Sequence, residues 1–588
     1  MLTKNKKNFR RITVTIFLMI FLAVIFFIKQ NALAVSINLN INAGLGTANI
    51  FVTITSIIQI FIGLLGIIAL GLVLYGGFLW MTSAGNEEKI SRAKKILTNA
   101  VIGLIIILSA FAIVSFILNK LVEATTQGPS GPPGQGGLPP GGAIGGGIIE
   151  SVYPLPGSQN NPRNTLIMVT FKEGVTNIID PTNHPGGNEC QGFTPGVDCG
   201  FIAQTNNEPN VKIINNSNSG NYQGTFLPAN QVIVKSNNNS KNYTFDPLQD
   251  LGSAAEPTNY TVTLTSNLNK ISNGQPALPS GFDWSFGVGT YLDNTPPQVT
   301  IVFPTAGTTV PKNAMVQINF TEAISPISAT GIVEVDPTTK ALLPGTFQNI
   351  TIGYDNNTKF VPGTFSIGNQ YKTVEFLSDS PCDQGDTGLI INSCGEQVYC
   401  LPGNEDFIAT TTAADLNTLL NGIYDAAGNS LDGGGENGQN KNGVSNGPPD
   451  DNYWWEFSTN DQLDLTPPVL NSVVPAGQAT NIPLNIDILA NFSEALSASS
   501  VNTTNYIILL NDDNCTDPQI AQPDQYGQYP NMPADCWPGG FGVGLDNTGQ
   551  QAQLNIYTNL ESLTWYNPRL LSYIKDLYQN CFYPSSGP

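Results

Sequence analysis

Apolar residues follow two rhythms along this chain, and the change comes near residue 148. Before it they run on almost unbroken: Ile12–Ile28, then Ile60–Met81 (22 residues) and Ile96–Leu118 (23 residues), with no charge in the last two. After it they alternate with polar residues, as in MVQINF, where Val316, Ile318 and Phe320 share one face, and in NYTVTLTS and YKTVEFLS. An apolar run of about 20 residues is enough to cross roughly 30 Å of hydrocarbon, and soluble helices seldom run so far without a polar face. Short alternating runs broken by Asn, Gly and Pro predict antiparallel β-sandwiches. The predicted fold class is a two-helix transmembrane hairpin followed by an all-β region.

The first apolar run follows Lys4, Lys6, Lys7, Arg10 and Arg11 and ends before Ala32-Leu33-Ala34. That is the pattern of a secretory signal peptide, residues 1–34; Lys29, just after the run, leaves an uncleaved anchor as the alternative. Between the other two runs Lys89, Arg92, Lys94 and Lys95 crowd one short loop. Loops rich in Lys and Arg stay cytoplasmic, so the two-helix head, residues 43–122, sends everything after about residue 120 outside. Gly63, Gly66, Ala69, Gly71, Gly76 and Gly77 let the first span approach another helix closely. That neighbour is either the second span or another copy of the chain in a homo-oligomer.

Residues 123–148 are dominated by Gly and Pro (TTQGPSGPPGQGGLPPGGAIGGGI from Thr125) and cannot bury a core. As a flexible coil such a tether spans roughly 27 Å, and up to about 70 Å where it is polyproline-like. Beyond it, P-x-N and F-x-E recur in register three times, six residues apart. The members are Pro162, Asn164, Phe171, Glu173; Pro311, Asn313, Phe320, Glu322; and Pro483, Asn485, Phe492, Glu494. Pro and Asn make a turn, and the strand after it points its Phe at a core. The Glu falls near the strand end, as an edge charge capping a turn or as a cation ligand; the first use is the commoner. DNTPPQV (293–299) and DLTPPVL (464–470) join the copies, giving predicted domains at 149–292, 293–460 and 461–588. Trp284-Ser285-Phe286 and Trp455-Glu456-Phe457 close the first two. The third has no such strand, so it is expected either to be incomplete or to end in a helix built on Leu570, Leu571, Ile574 and Leu577.

Two resemblances follow from these residues. Ala32-Leu33-Ala34, YGGFLWMTSAG (75–85) and EEKISRAKKILTNAVIGLIIILSA (87–110) resemble the pilin subunits of type IV secretion and conjugation systems. This implies assembly into a filament or membrane oligomer, although such pilins usually end soon after the second helix. The repeat resembles the tandem bacterial Ig-like domains of surface-layer and adhesin proteins, through Phe320-Thr321-Glu322 and Phe492-Ser493-Glu494. Phe171-Lys172-Glu173 departs from it at the middle position. It implies Ig-like sandwiches serving as stalk or adhesive modules, with an extracellular protein or glycan as ligand.

Charge and chemistry narrow the picture. Residues 1–120 hold 11 of the 24 cations and, of the 44 acids, only Glu87 and Glu88. The remainder is strongly acidic, which argues against a nucleic-acid partner and suits uptake of divalent cations. All eight cysteines lie after residue 120, at spacings that suggest disulfides in an oxidising compartment. Cys190–Cys199 and Cys515–Cys536 are the expected pairs; Cys382, Cys394, Cys400 and Cys581 stay open, Cys581 either with a partner among them or without one. With one histidine, His184, and none of G-x-S-x-G, H-E-x-x-H or G-x-x-x-x-G-K, no enzymatic activity is expected. The loop DAAGNSLDGGGENGQNKNG offers Asp425, Asn429, Asp432 and Glu436 as ligands for Ca²⁺, which takes six to eight oxygens without strict geometry. A flexible acidic loop is the competing interpretation. Asp450 and Asp451 would add to the site or merely solvate the chain.

Overall fold

The computed structural model describes residues 147–582, apart from 187–189, 191–192, 194–197, 218, 238–239, 383–388, 416–420, 558 and most of 512–539, together with Tyr75, Phe78, Ser91 and Lys94. The chain falls into two compact units, Met1–Val122 and Glu123–Pro588. In the first, the four described residues are helical. The signal segment, the remainder of both predicted spans and their loop, and most of the tether lie outside the described residues. Among the described residues no helix is long and apolar enough to cross a membrane.

In the second unit the repeat opens three times on one strand pair. Ile149–Tyr153 pairs antiparallel with Ile167–Phe171, Val299–Phe303 with Val316–Phe320, and Leu470–Val474 with Ile488–Phe492. Each pair slips register just inside its first strand, at Ile149/Ser151, Val299/Ile301 and Leu470/Ser472. A cis proline follows that strand each time: Pro154, Pro304 and Pro475. Val316, Ile318 and Phe320 are buried as their alternation predicts.

Two facing sheets make each sandwich. In the first, Ile149–Tyr153, Ile167–Phe171, Asn242–Pro247, Val232–Ser236 and Cys199–Phe201 face Phe282–Val288, Thr258–Leu264 and Val211–Asn215. Separate cores fill residues 148–288, 299–457 and 488–582. The closing strands carry the expected aromatics inward. The indole N–H of Trp284 donates to the Pro154 carbonyl, and that of Trp455 to Pro304, so each closing strand is pinned to the opening one.

At the third sandwich one expectation is corrected and one open pairing is closed. Its tail is not helical: Tyr566–Leu570 is a strand paired with Tyr506–Leu510, and Ile574 and Leu577 are buried in the turn that follows. The five backbone pairings with Tyr506–Leu510 fix Tyr566–Leu570 as extended chain, so the helical spacing that begins at Leu570 does not make a helix. Cys581 is not alone either. It pairs with Cys394 of the second sandwich, while Cys382–Cys400 closes a loop within the second. Cys190–Cys199 and Cys515–Cys536 form as expected.

The sandwiches also touch outside their linkers. Tyr371 of the second donates to the Ser151 carbonyl of the first, and Glu375 of the second accepts from the Ser499 amide and Ser497 hydroxyl of the third. The first and third meet as well: Thr503 donates its amide to Glu150, and Gln528 its side-chain amide to Glu173.

Candidate functional site at the domain joints

Each joint is built from four pieces of sequence far apart in the chain. At the first, the P-x-N asparagine, Asn164, receives the Asp293 amide on its Oδ1 (2.9 Å) and donates to the Asp293 carbonyl (2.8 Å) and the Ala427 carbonyl (3.1 Å). Asp293 opens the Thr-Pro-Pro linker. Asn429 donates to that same carbonyl (3.2 Å) and to Asp425 (3.0 Å). The amides of Ala427 and Asn429 each donate to Asp425 at 2.8 Å, which holds its carboxylate in a tight turn. Asp425 bridges to Ile324, two residues beyond Glu322, bringing the F-x-E glutamate alongside.

The result is three carboxylates in one place. One oxygen from each of Asp293, Glu322 and Asp425 lies within 4.8 Å of the others, with Asp425 fully buried. Burial, then the charges of Asp425 and Asp293, pushes Glu322 up to about 8, against a small opposing pull from Lys372. Burial raises Asp425 to about 6, although the hydrogen bonds from Asn429 and Ala427 favour its ionised form. Tyr153 is held well above the ordinary phenol range by burial and by Asp425 and Glu322. Crowded, half-dehydrated carboxylates retain protons or gather a cation. The donors are all hard oxygens, the set Ca²⁺ accepts.

The second joint repeats the hydrogen-bond frame of the first, but its three acids do not gather within 4.8 Å as those of the first do. Asn313 takes the Asp464 amide (3.0 Å) and donates to the carbonyls of Asp464 (2.7 Å) and Tyr578 (2.8 Å). Asn580 donates to the Asp464 carbonyl (3.1 Å) and to Asp576 (3.0 Å), as Asn429 does to Asp293 and Asp425. Asp576 bridges to Leu496, two residues beyond Glu494. Burial, and then Glu494, raises Asp576 to about 7, and burial with Asp464 raises Glu494.

In the first sandwich the same position holds a lysine. Lys270 pairs with Val175, two residues beyond Glu173, where Asp425 and Asp576 stand in the later copies. Its ammonium lies 2.9 Å from Glu173, which also accepts from Ser272 and from Gln528 of the third sandwich. Burial pushes Glu173 up, but these hydrogen bonds and the Lys270 charge outweigh it and hold it below its usual range. Where the chain supplies its own cation, no acid cluster forms.

Of the four residues expected to bind Ca²⁺, the structure brings together only Asp425 and Asn429. Buried Asp432 accepts from Gln298 (2.8 Å) and the Gly443 amide (2.7 Å), organising its own loop. Glu436 is exposed on the short strand Gly435–Glu436. Asp451 is buried and accepts from the Gly447 amide. Sequence reasoning missed Asp293 and Asp464 as members of the joints, and Asp576 with Asn580. The signal was present: both linkers begin with Asp, and D-x-x-x-N occurs at 425–429 and 576–580.

Comparisons with known proteins bear on both ends of the chain. Residues 46–117 match the model of the type IV secretion system pilin family, and residues 464–586 that of a bacterial Ig-like domain. The chain therefore has a pilin-like N-terminal region and an Ig-like C-terminal one, as the residue patterns predicted. No curated protein matches it. Among solved structures it is similar to the N-terminal part of the bacterial S-layer protein SbsC (9% identity, 47% of this chain and 44% of that one, TM-score 0.15). It is also similar to domains 1–6 of SbsC (11%, 88% and 63%, TM-score 0.16) and to the human desmocollin-1 ectodomain (8%, 72% and 65%, TM-score 0.10). The chain covers less than two thirds of each of these.

Proposed function

We propose that this is a membrane-anchored bacterial cell-surface protein that presents Ig-like domains outside the cell as a stalk and binding module. One observation carries the reading: a pilin-like segment at 46–117 and an Ig-like segment at 464–586 share one chain, and all four disulfides lie beyond the first. Disulfides persist in oxidising compartments. The head serves as anchor, with the membrane and copies of itself as partners, and the exterior takes a protein or glycan ligand. Nucleic acid and catalysis have no part in it. At the first joint Asp293, Glu322 and Asp425 hold Ca²⁺ and stiffen one sandwich against the next, while the second joint keeps the same frame of hydrogen bonds. The pilin-family match favours a second reading, a structural subunit of a type IV secretion-like pilus or pore.

One experiment separates the two. Intact cells are sheared, and filaments and membranes are blotted with antibody to residues 293–460. Signal confined to membranes, and removed by protease added to whole cells, supports the anchored surface protein. Full-length chain in sheared filaments overturns it in favour of the pilus subunit, and protease resistance on whole cells overturns both.

A further inference from the structure

The first sandwich contains a groove that the joints do not use. It has a volume of about 550 Å³, within the range of small-molecule sites. Its lining is mostly polar, with the buried Ile202 and Pro209 behind it and the half-buried rings of Tyr222 and Phe226 within it. Three turns frame it. Asp180 anchors one by accepting from the amides of Thr182 and Asn183. Asn206 and Asn207, both in the left-handed region, make the hairpin turn between Gln204–Thr205 and Glu208–Pro209. Tyr222, also left-handed, ends the third.

The amides of this groove are the informative feature. Several other asparagine side chains of this sandwich are spent on the fold: Asn161, Asn177, Asn210 and Asn215 each donate to a backbone carbonyl. In the groove Asn183, Gln204, Asn207 and Asn230 line the walls, and their side chains bond to no other described residue. Each presents a carbonyl acceptor beside two N–H donors, a pairing that matches a hydroxyl, which both gives and takes a hydrogen bond. Aromatic rings offer flat apolar faces against which the C–H face of a pyranose packs. No Lys or Arg lines the groove, and Asp180 is the one charge in its lining; the Lys212 ammonium over the Phe226 ring, 5.2 Å from its centre, is paired with Glu208. An anionic ligand is therefore disfavoured there.

We infer that this groove binds a neutral oligosaccharide. The inference rests on the reading of the exterior as a surface binding module, and names its ligand class and its place. Amide side chains supply paired donors and acceptors to the sugar hydroxyls, and the rings take its apolar face.

The test uses the full-length chain in a detergent without a sugar headgroup, observed by saturation-transfer NMR. The probes are cellotetraose, maltotetraose and chitotetraose, with a hyaluronan tetrasaccharide and an unstructured neutral peptide for comparison. At least one neutral tetrasaccharide should give saturable transfer. Asn183→Ala combined with Asn230→Ala should weaken it about tenfold and leave the melting temperature unchanged, since neither side chain bonds to another described residue. Gln204→Ala provides an independent check on a third lining amide. Absence of transfer from all three neutral sugars overturns the inference. So does binding unaffected by these substitutions, or preferential binding of hyaluronan or the peptide. The shearing experiment judges the underlying reading separately: a surface-exposed chain that binds no sugar removes the groove assignment alone, and sugar binding by a chain absent from the surface removes the reading alone.

Discussion

Glu322, Glu494 and Glu173 occupy one position of one repeat, and their surroundings decide what each does. Glu173 faces Lys270 and is held ionised; Glu322 faces Asp293 and Asp425 and is held towards its neutral form. Glu322 ordinarily ionises near 4.5, but near 8 in the folded joint. Between these values the folded chain keeps a proton that the unfolded chain has released, so stability falls as pH rises. In EDTA the melting temperature should therefore drop between pH 5 and pH 8, and Glu322→Gln should flatten that slope. Ca²⁺ at a hundredfold excess over its Kd should restore about 2–3 kcal/mol at pH 8. It should have no such effect on the Glu322→Gln, Asp425→Asn double variant. Calorimetry at the two pH values checks both statements, and a wild-type chain indifferent to Ca²⁺ at pH 8 would sink the cation assignment. Lys172 illustrates the same dependence on surroundings. The repeat leads one to expect Ser or Thr there, but the lysine is buried near Glu150 and Asp524 of the third sandwich. Burial lowers it to about 8 against the pull of those two charges.

At the scale of elements, the closing strand and the cross-joint disulfide carry distinct loads. Trp455 is fully buried and pinned to the Pro304 carbonyl; Trp455→Ala should cost about 3–5 kcal/mol, read from denaturant unfolding. Cys394–Cys581 ties the loop of the second sandwich to the last turn of the third, beside Asn392, which donates to the Gln579 carbonyl, and Ser393, which donates to that of Cys581. Replacing both cysteines with serine should remove about 2–4 kcal/mol. The loss should fall on the third sandwich, visible as an earlier transition in the fluorescence of Trp537 and Trp565. An unchanged transition would mean that the hydrogen bonds alone hold that turn.

The three-sandwich unit is less rod-like than a row of linked domains suggests, because the first and third sandwiches touch. Lys270 bonds to Gln528 at 2.9 Å while Gln528 bonds to Glu173 at 2.7 Å, closing a small ring of contacts across that interface. Lys270→Met leaves a buried carboxylate without its cation, a change that costs about 3–5 kcal/mol. Small-angle scattering should then show a larger radius of gyration for this variant than for wild type. An unaltered radius would place the stability of the arrangement in the linkers and the Glu375 contacts instead.

Three features were legible without coordinates: the two rhythms of apolar residues, the thrice-repeated strand with its inward Phe, and two of the disulfides. Each depends on neighbours close in sequence, where spacing alone sets which face a side chain occupies or which cysteine is near. The joints were legible only in fragments. Asn164, Asp293, Glu322 and Asp425 span 262 positions, and nothing local in the chain says that a turn, a linker, a strand end and a distant loop will converge. The tail misled for the same reason, since four apolar residues at helical spacing fit a helix equally well as a strand followed by a buried turn. Pairing with Tyr506–Leu510, far back along the chain, made it a strand. Local periodicity thus determined which segments pack inward, while tertiary contact decided which charges meet, because electrostatics acts through space between residues that the chain keeps far apart.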